Sequence, residues 1–290
     1  MTHDHREREW TRVAVVGSAN LDLVAHTPRR PAPGETVLGT GYSEHPGGKG
    51  LNQAAAAATV TTTSFVGRRG SDDAGRVLEA ELVRRGVDTS QFLAVAGPSG
   101  HALITVTPDG ENSITVLPEA NHLLLPDDVT RALDVLVPRV VLTQQEIPLA
   151  ATGAAARWAR THGVRLMLNA SPSAALPEEI LAAADPLVVN LTEAHFLTAT
   201  HTPSDAARIL AKQCVSVVIT LGSDGSLVVE NGRTTHLPAP RLTAVDTTGA
   251  GDMFAGVTAA RLARGAGLVE AAHHATQAAA QAIQTPRSSR

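Results

Sequence analysis

Residues 12–22 read RVAVVGSANLD, a short valine-rich run that stops at Gly17-Ser18. An unbroken apolar run of this length suits a strand buried on both faces, and the glycine and polar residues behind it suit the loop into which such a strand opens. Four later segments repeat the pattern: VVLTQQE (140–146), RLMLNASP (165–172), PLVVNLTE (186–193) and VSVVITLGSDG (215–225). Amphipathic stretches such as LAATGAAARWARTHG (149–163) lie between several of them, so the alternation predicts an α/β fold with a mainly parallel sheet flanked by helices. In such sheets ligands bind beyond the carboxyl ends of the strands, where these polar residues fall.

Two stretches break the rhythm. The region around 35–45, and HALITVTPDGENSITVLPEAN (101–121) with its Pro-Asp-Gly turn, carry β-type residues in a hairpin-like pattern. They predict a small β-sheet lid, inserted at about 20–46 and 98–121 into a single core domain spanning 11–290, after a polar N-terminal tail at 1–10. His3 and His5 fall in that tail and carry no structural expectation.

The composition narrows the functional classes. With 290 residues, 43% hydrophobic and 18% charged, the chain can bury a large core. A formal net charge of −4 without a basic cluster, and 2% aromatic residues, leave no footprint for nucleic acid or an anionic membrane, so small soluble partners are expected. A single cysteine, Cys214, and no apolar leader in MTHDHREREW make the cytoplasm the expected compartment. No apolar stretch is long enough to span a bilayer.

Two glycine-rich stretches carry the chemistry. In PGGKGLNQA (46–54), glycines let the backbone approach a ligand, Lys49 supplies charge, and Asn52 can bond hydroxyls. Lys49 is one of only two lysines in the chain, the other 22 basic residues being arginine. Read by itself, the stretch fits equally a glycine turn opening an ordinary helix. In AVDTTGAGDMFAGVTAARLARG (244–265), Gly249, Ala250 and Gly251 precede Asp252 and a helical pattern, which reads as an anion hole of backbone N–H groups beside a carboxylate able to accept a hydroxyl proton. That pair suits phosphoryl transfer to an alcohol. The plainer alternative is Asp252 as a helix N-cap. Neither a Walker motif nor a dinucleotide fingerprint is present.

Taken together, GSANLD (17–22), PGETV (33–37), GGKGLNQA (47–54), QQEIP (144–148), NLTEAH (190–195), TLGSDG (220–225) and DTTGAGDMFAG (246–256) resemble, in order and over about residues 12–285, the ribokinase-like (PfkB) carbohydrate kinases. The resemblance implies an ATP-dependent kinase that phosphorylates D-ribose on its 5-hydroxyl to give D-ribose 5-phosphate and ADP, the lysine form of the Gly-Gly motif followed by Asn-Gln pointing to ribose. It implies Asn20, Asp22, Gly48, Lys49, Asn52 and Glu146 on the sugar, with Asp252 as general base and Gly249–Gly251 as anion hole. It further implies Asn190, Thr220, Gly222, Ser223, Gly225, Gly251 and Thr276 on the nucleotide, and Glu193 on Mg²⁺ through water. A homodimer through the lid is compatible with it.

The residues alone also fit other roles: a turn aspartate at 22, a loop carboxylate at 146, a helix start at 190–193, a hairpin turn at 222–225 and helix packing at Thr276. His273 and His274, without a metal-ligand pattern, read as surface or packing residues. Related acceptors stay open, namely deoxyribose, another sugar or a nucleoside, as does a catalytically silent sugar- or nucleotide-binding protein. The chain departs from the family in two places. Ala255 stands where asparagine is common. For the family's K⁺ site, Asp246 and Thr248 supply the first part, and Ala282 and Thr285, with Ser288 or Ser289 as substitutes, are what the chain offers for the remainder; Arg287 opposes a cation there, and weak K⁺ activation with mobile residues after Thr285 is expected.

Overall fold

The computed structural model describes residues 12–286. The terminal tail, and the expectations for residues 287–290, lie outside the described residues. The first strand, β1 (Val13–Val16), is wholly buried. Val13 and Val15 belong to one apolar cluster and Ala14 and Val16 to the other, so the unbroken valine run is what a strand covered on both faces requires. After it come β2 (Asn20–His26), β3 (Gly41–Gly47), α1 (Lys49–Ala58), β4 (Thr63–Gly70), α2 (Asp73–Arg84), β5 (Asp88–Val95), β6 (Gly100–Val106) and β7 (Asn112–Leu117). The middle of the chain gives α3 (Pro126–Leu136), β8 (Val140–Thr143), α4 (Leu149–His162), β9 (Arg165–Asn169), α5 (Glu178–Ala183), β10 (Ala184–Asn190), α6 (Leu191–Thr198) and α7 (Pro203–Leu210). It closes with β11 (Val217–Thr220), β12 (Ser226–Glu230), β13 (Arg233–Leu237), α8 (Ala250–Ala263) and α9 (Leu268–Ala282).

Nine strands form one sheet in the order β13-β12-β11-β10-β9-β8-β1-β4-β5, parallel from β5 to β11 and antiparallel through the β11–β12 and β12–β13 hairpins. Residues of α3, α4, α5 and α7 bury one face of the sheet, and residues of α1, α2, α8 and α9 the other, which makes three layers. The two segments read as insertions form a second sheet, β3-β2-β6-β7. Its β6–β7 hairpin turns at the Pro-Asp-Gly sequence, and the parallel pairing of β2 with β6 joins the two segments. Among the described residues, no helix is long and apolar enough to cross a membrane.

α1 and α8 pack side by side, and their closest approach is at Gly256. A Cβ there would sit 2.3 Å from the Gln53 carbonyl oxygen and 2.7 Å from the Ala56 Cβ, so the alanine run of α1 and this glycine are matched surfaces. Ala255 is fully buried in the same apolar layer, so alanine leaves no buried amide to satisfy where asparagine is common.

Candidate active site

α1 begins at Lys49, and its first turn is capped from elsewhere. Gly48, in the left-handed region at φ 87°, offers no side chain. The Glu146 carboxylate accepts from the Lys49 N–H at 3.0 Å and from the Ser18 hydroxyl at 2.6 Å, while Ser18 Oγ accepts from the Gly50 N–H at 3.3 Å. An anion thus sits on the positive end of the helix. The glycine at 50 is obligatory, since a Cβ would fall 2.5 Å from the Ser18 nitrogen. Glu146, read from sequence alone as a loop carboxylate, is bound at the start of a helix.

Between this helix end and the small sheet lies a cavity of about 390 Å³. Asn20, Asp22, Gly48, Lys49, Asn52 and Glu146, together with Asp252, all line it. The opposing wall is the face of the small sheet carrying Ile104, Ile114 and Val116. Asp22 is 5% exposed and sits within β2, paired in register with His45 and Ala102, so it is a strand residue of the cavity wall and not a turn aspartate. Asn20 is held by Asn121, whose amide donates to Asn20 Oδ1 at 2.8 Å. That contact orients the Asn20 side-chain amide as a donor.

Asp252 stands on the cavity floor. The cap of α8 is Gly249, at φ 77°, and Asp252 is the third residue of the helix. Its carboxylate points across to α1, accepting from Asn52 Nδ2 at 3.1 Å and from Gln53 Nε2 at 2.9 Å. The N-cap alternative is therefore excluded by geometry. Burial pushes the Asp252 carboxyl above the usual carboxylate range, the Lys49 charge and the two amide donors pull the other way, and Glu146 adds to the rise. The Ala250 N–H turns back to the Thr247 carbonyl at 3.2 Å and the Met253 N–H bonds the Gly249 carbonyl at 2.9 Å. Of Gly249–Gly251, expected as the anion hole, Ala250 thus has its N–H turned inward.

A second cavity, of about 160 Å³, lies on the other side of this helix start. Asn190, Glu193, Thr220, Gly249, Ala250, Gly251 and Asp252 line it, and it shares Lys49, Gly249 and Asp252 with the first. Asn190 and Glu193 form a capping box on α6: Asn190 Oδ1 accepts from the Glu193 N–H at 2.9 Å and Glu193 Oε2 from the Asn190 N–H at 2.8 Å. The helix-start reading of this pair holds, and the cavity lies against it. Gly222, Ser223 and Gly225 belong to the tight turn joining β11 to β12, the hairpin-turn alternative, one strand end along from β10. Thr276 is buried in α9 with its hydroxyl donated to the Ala272 carbonyl at 2.9 Å, as helix packing predicts.

Of the residues assigned to a cation, Asp246 and Thr248 line the larger cavity, and the Thr248 N–H donates to Asp246 Oδ1 at 2.9 Å. The chain after α9 does meet this segment, but through Ile283, whose carbonyl accepts from the N–H groups of Val245 and Asp246. The Ala282 carbonyl accepts from the Thr285 N–H and hydroxyl instead.

Sequence reasoning missed Ser18, Gln53, Asn169 and Asn121 as members of the site. Ser18 and Asn169 stand directly after apolar strand runs, a signal that marks the sheet's carboxyl edge; Gln53 and Asn121 give no such signal, since their roles exist only in contacts with distant segments.

The family model for pfkB family carbohydrate kinases matches residues 11–290. A curated ribokinase of Staphylococcus aureus is 34% identical over 261 residues, covering 87% of this chain and 86% of that protein. A curated deoxyribokinase of Salmonella typhi is 32% identical over 257 residues, covering 84% of this chain and 83% of that protein. Among solved structures, the Arabidopsis thaliana ribokinase complexed with ribose and ATP superposes with a TM-score of 0.85 at 32% identity, covering 95% of this chain and 93% of that one. With this architecture, these cavities and these matches, the chain belongs to the pfkB family of carbohydrate kinases.

Proposed function

We propose that this kinase transfers the γ-phosphoryl group of ATP to the 5-hydroxyl of D-ribose. One observation carries the reading: the two cavities meet at Lys49, Gly249 and Asp252. A sugar in the larger cavity and a triphosphate reaching into the smaller one would face each other across a carboxylate and a helix N-terminus, the two groups such a transfer needs. Asp252 takes the proton as the hydroxyl oxygen bonds to the γ-phosphorus and the bond to the leaving ADP oxygen breaks. The N–H groups of the Gly249–Gly251 turn that stay open to the cavity, those of Gly249 and Gly251, steady the charge on the transferring phosphoryl. Asn20, Asp22, Lys49, Asn52 and Glu146 bind sugar hydroxyls, and the apolar face of the small sheet covers the ring and excludes water.

Mg²⁺ would enter with the ATP phosphates. It prefers oxygen ligands and keeps several waters, which suits Glu193, a carboxylate with one oxygen held by the capping box and lining the smaller cavity. Mg²⁺ there neutralises phosphate charge during transfer.

ADP release measured across D-ribose, 2-deoxy-D-ribose, other pentoses and nucleosides tests the assignment. D-ribose should give the highest kcat/KM. A higher value with 2-deoxy-D-ribose would move the reading to that acceptor, as the Salmonella relative's name suggests, and binding without turnover of any acceptor would make the chain a silent binder.

A further inference from the structure

The carboxylate of Asp252 is held from behind by the amide of Gln53, a residue that lines neither cavity. Gln53, fully buried in α1, uses its Nε2 twice, donating to Asp252 Oδ1 at 2.9 Å and to Asn169 Oδ1 at 2.9 Å. Its Oε1 accepts from Nε2 of Gln144, also fully buried, at 2.8 Å. Asn169 Nδ2 in turn donates to the Val188 carbonyl at 3.2 Å.

The direction of this chain is set at one end by chemistry that cannot invert. A backbone carbonyl only accepts, so Asn169 must present its nitrogen to Val188 and its oxygen to Gln53. Gln53 must then present its nitrogen to Asn169, and the second hydrogen of that nitrogen falls on Asp252. Turning the Gln53 amide over would set oxygen against oxygen at Asn169 and Asp252, and nitrogen against nitrogen at Gln144. The ends of β8 and β9, strand β10 and α1 thus cooperate to aim one N–H at one carboxylate oxygen. Burial raises the proton affinity of Asp252, and this donor opposes the rise.

We propose that Gln53 is a positioning residue for phosphoryl transfer, which fixes the rotation of the Asp252 carboxylate and keeps it an ionised acceptor, with its own amide locked by Asn169 and Gln144. The proposal rests on the reading of Asp252 as general base, and the test separates the two. In Gln53→Leu, the loss of a hydrogen bond to a charged group should lower plateau kcat by roughly tenfold to a hundredfold. The KM values for ribose and for ATP should stay within about threefold, since neither ligand touches Gln53. The acid limb of the kcat–pH profile should move up by about one pH unit, because the ionised form has lost a donor.

In an Asp252→Asn background the same substitution should change the residual rate by less than about threefold, because the group it positions is gone. Gln53→Met, unbranched and of similar length, gives the same readings if the leucine variant does not fold. An unmoved acid limb, or a Gln53 effect of full size in the Asp252→Asn background, overturns the positioning role while the base assignment stands. Near wild-type turnover of Asp252→Asn itself overturns the base assignment, and the positioning role with it.

Discussion

Replacing Gly256 with alanine tests whether the α1–α8 contact builds the site as well as the core. The new Cβ would lie 2.3 Å from the Gln53 carbonyl oxygen, 2.7 Å from the Ala56 Cβ and 2.9 Å from the Ala57 nitrogen. Ordinary contact between such atoms is about 3.5–4.0 Å, and two of the three neighbours are backbone, so no rotamer change relieves the clash. The helices must separate locally by roughly 1 Å. Overpacking of this kind costs about 1–3 kcal/mol. The higher helix propensity of alanine returns about 1 kcal/mol, leaving a net loss of up to about 2 kcal/mol. The same displacement stretches the Asn52 and Gln53 bonds to Asp252, now 3.1 and 2.9 Å, beyond hydrogen-bonding range. Urea unfolding should therefore show a lower midpoint at unchanged m. kcat, measured at a temperature where both proteins are fully folded, should fall by about tenfold or more. A variant of equal or greater stability with wild-type kcat would refute the claim that this contact sets the position of Asp252.

Asp252→Asn should lower kcat by about 10²-fold to 10⁴-fold with ribose affinity retained, because a near-isosteric amide cannot accept the proton. In the unmutated enzyme the base must be ionised, so kcat should fall as pH drops through a value above the usual carboxylate range; a profile flat down to ordinary carboxylate values would contradict the raised proton affinity. Asp22→Ala should raise the KM for ribose far more than that for ATP, and equal increases would remove Asp22 from the sugar. Cys214 is buried, with its thiol pushed up to about 12 by desolvation, so alkylation by iodoacetamide at pH 8 should be slow until urea unfolds the chain. Potassium, compared with a bulky organic cation at matched ionic strength, should activate only weakly, since the Ala282 carbonyl already accepts bonds from Thr285; strong, saturable activation at millimolar potassium would show that the segment rearranges around the ion.

The fold was legible wherever a residue's environment depends on its near neighbours. Five apolar runs ending in polar residues marked β1, β8, β9, β10 and β11, and the Pro-Asp-Gly turn marked the β6–β7 hairpin. The parallel pairing of β2 with β6 was not legible, because it joins segments far apart in the chain with no local signal of the match. The site divides in the same way. Many of the residues that line the two cavities could be named from the resemblance to the family's motifs, yet their contacts run to distant segments. The Glu146 carboxylate caps the start of α1 at Lys49, 97 residues upstream of it. Asp252, three positions too late to be a cap, bonds amides about 200 residues away. Composition and spacing carry no record of such contacts.

The placement of Lys49 has an electrostatic consequence for the proposed reaction. Its charge lowers the proton affinity of Asp252, against the rise caused by burial, and Lys49 lines both the sugar cavity and the phosphate-side cavity. Before nucleotide arrives, the ammonium therefore favours the ionised carboxylate, which is the form able to receive a proton. A triphosphate in the smaller cavity brings negative charge close to Asp252 and pairs with Lys49, and both effects raise the affinity of the carboxylate for a proton. The base would thus strengthen when the phosphoryl donor is in place. Mg²⁺ bound with the phosphates would moderate the change by neutralising part of their charge, and the Gln53 and Asn52 donors oppose protonation of the carboxylate. A carboxylate fixed by amides but tuned by a lysine that lines both cavities can be held in one geometry while its basicity follows the occupancy of the neighbouring cavity.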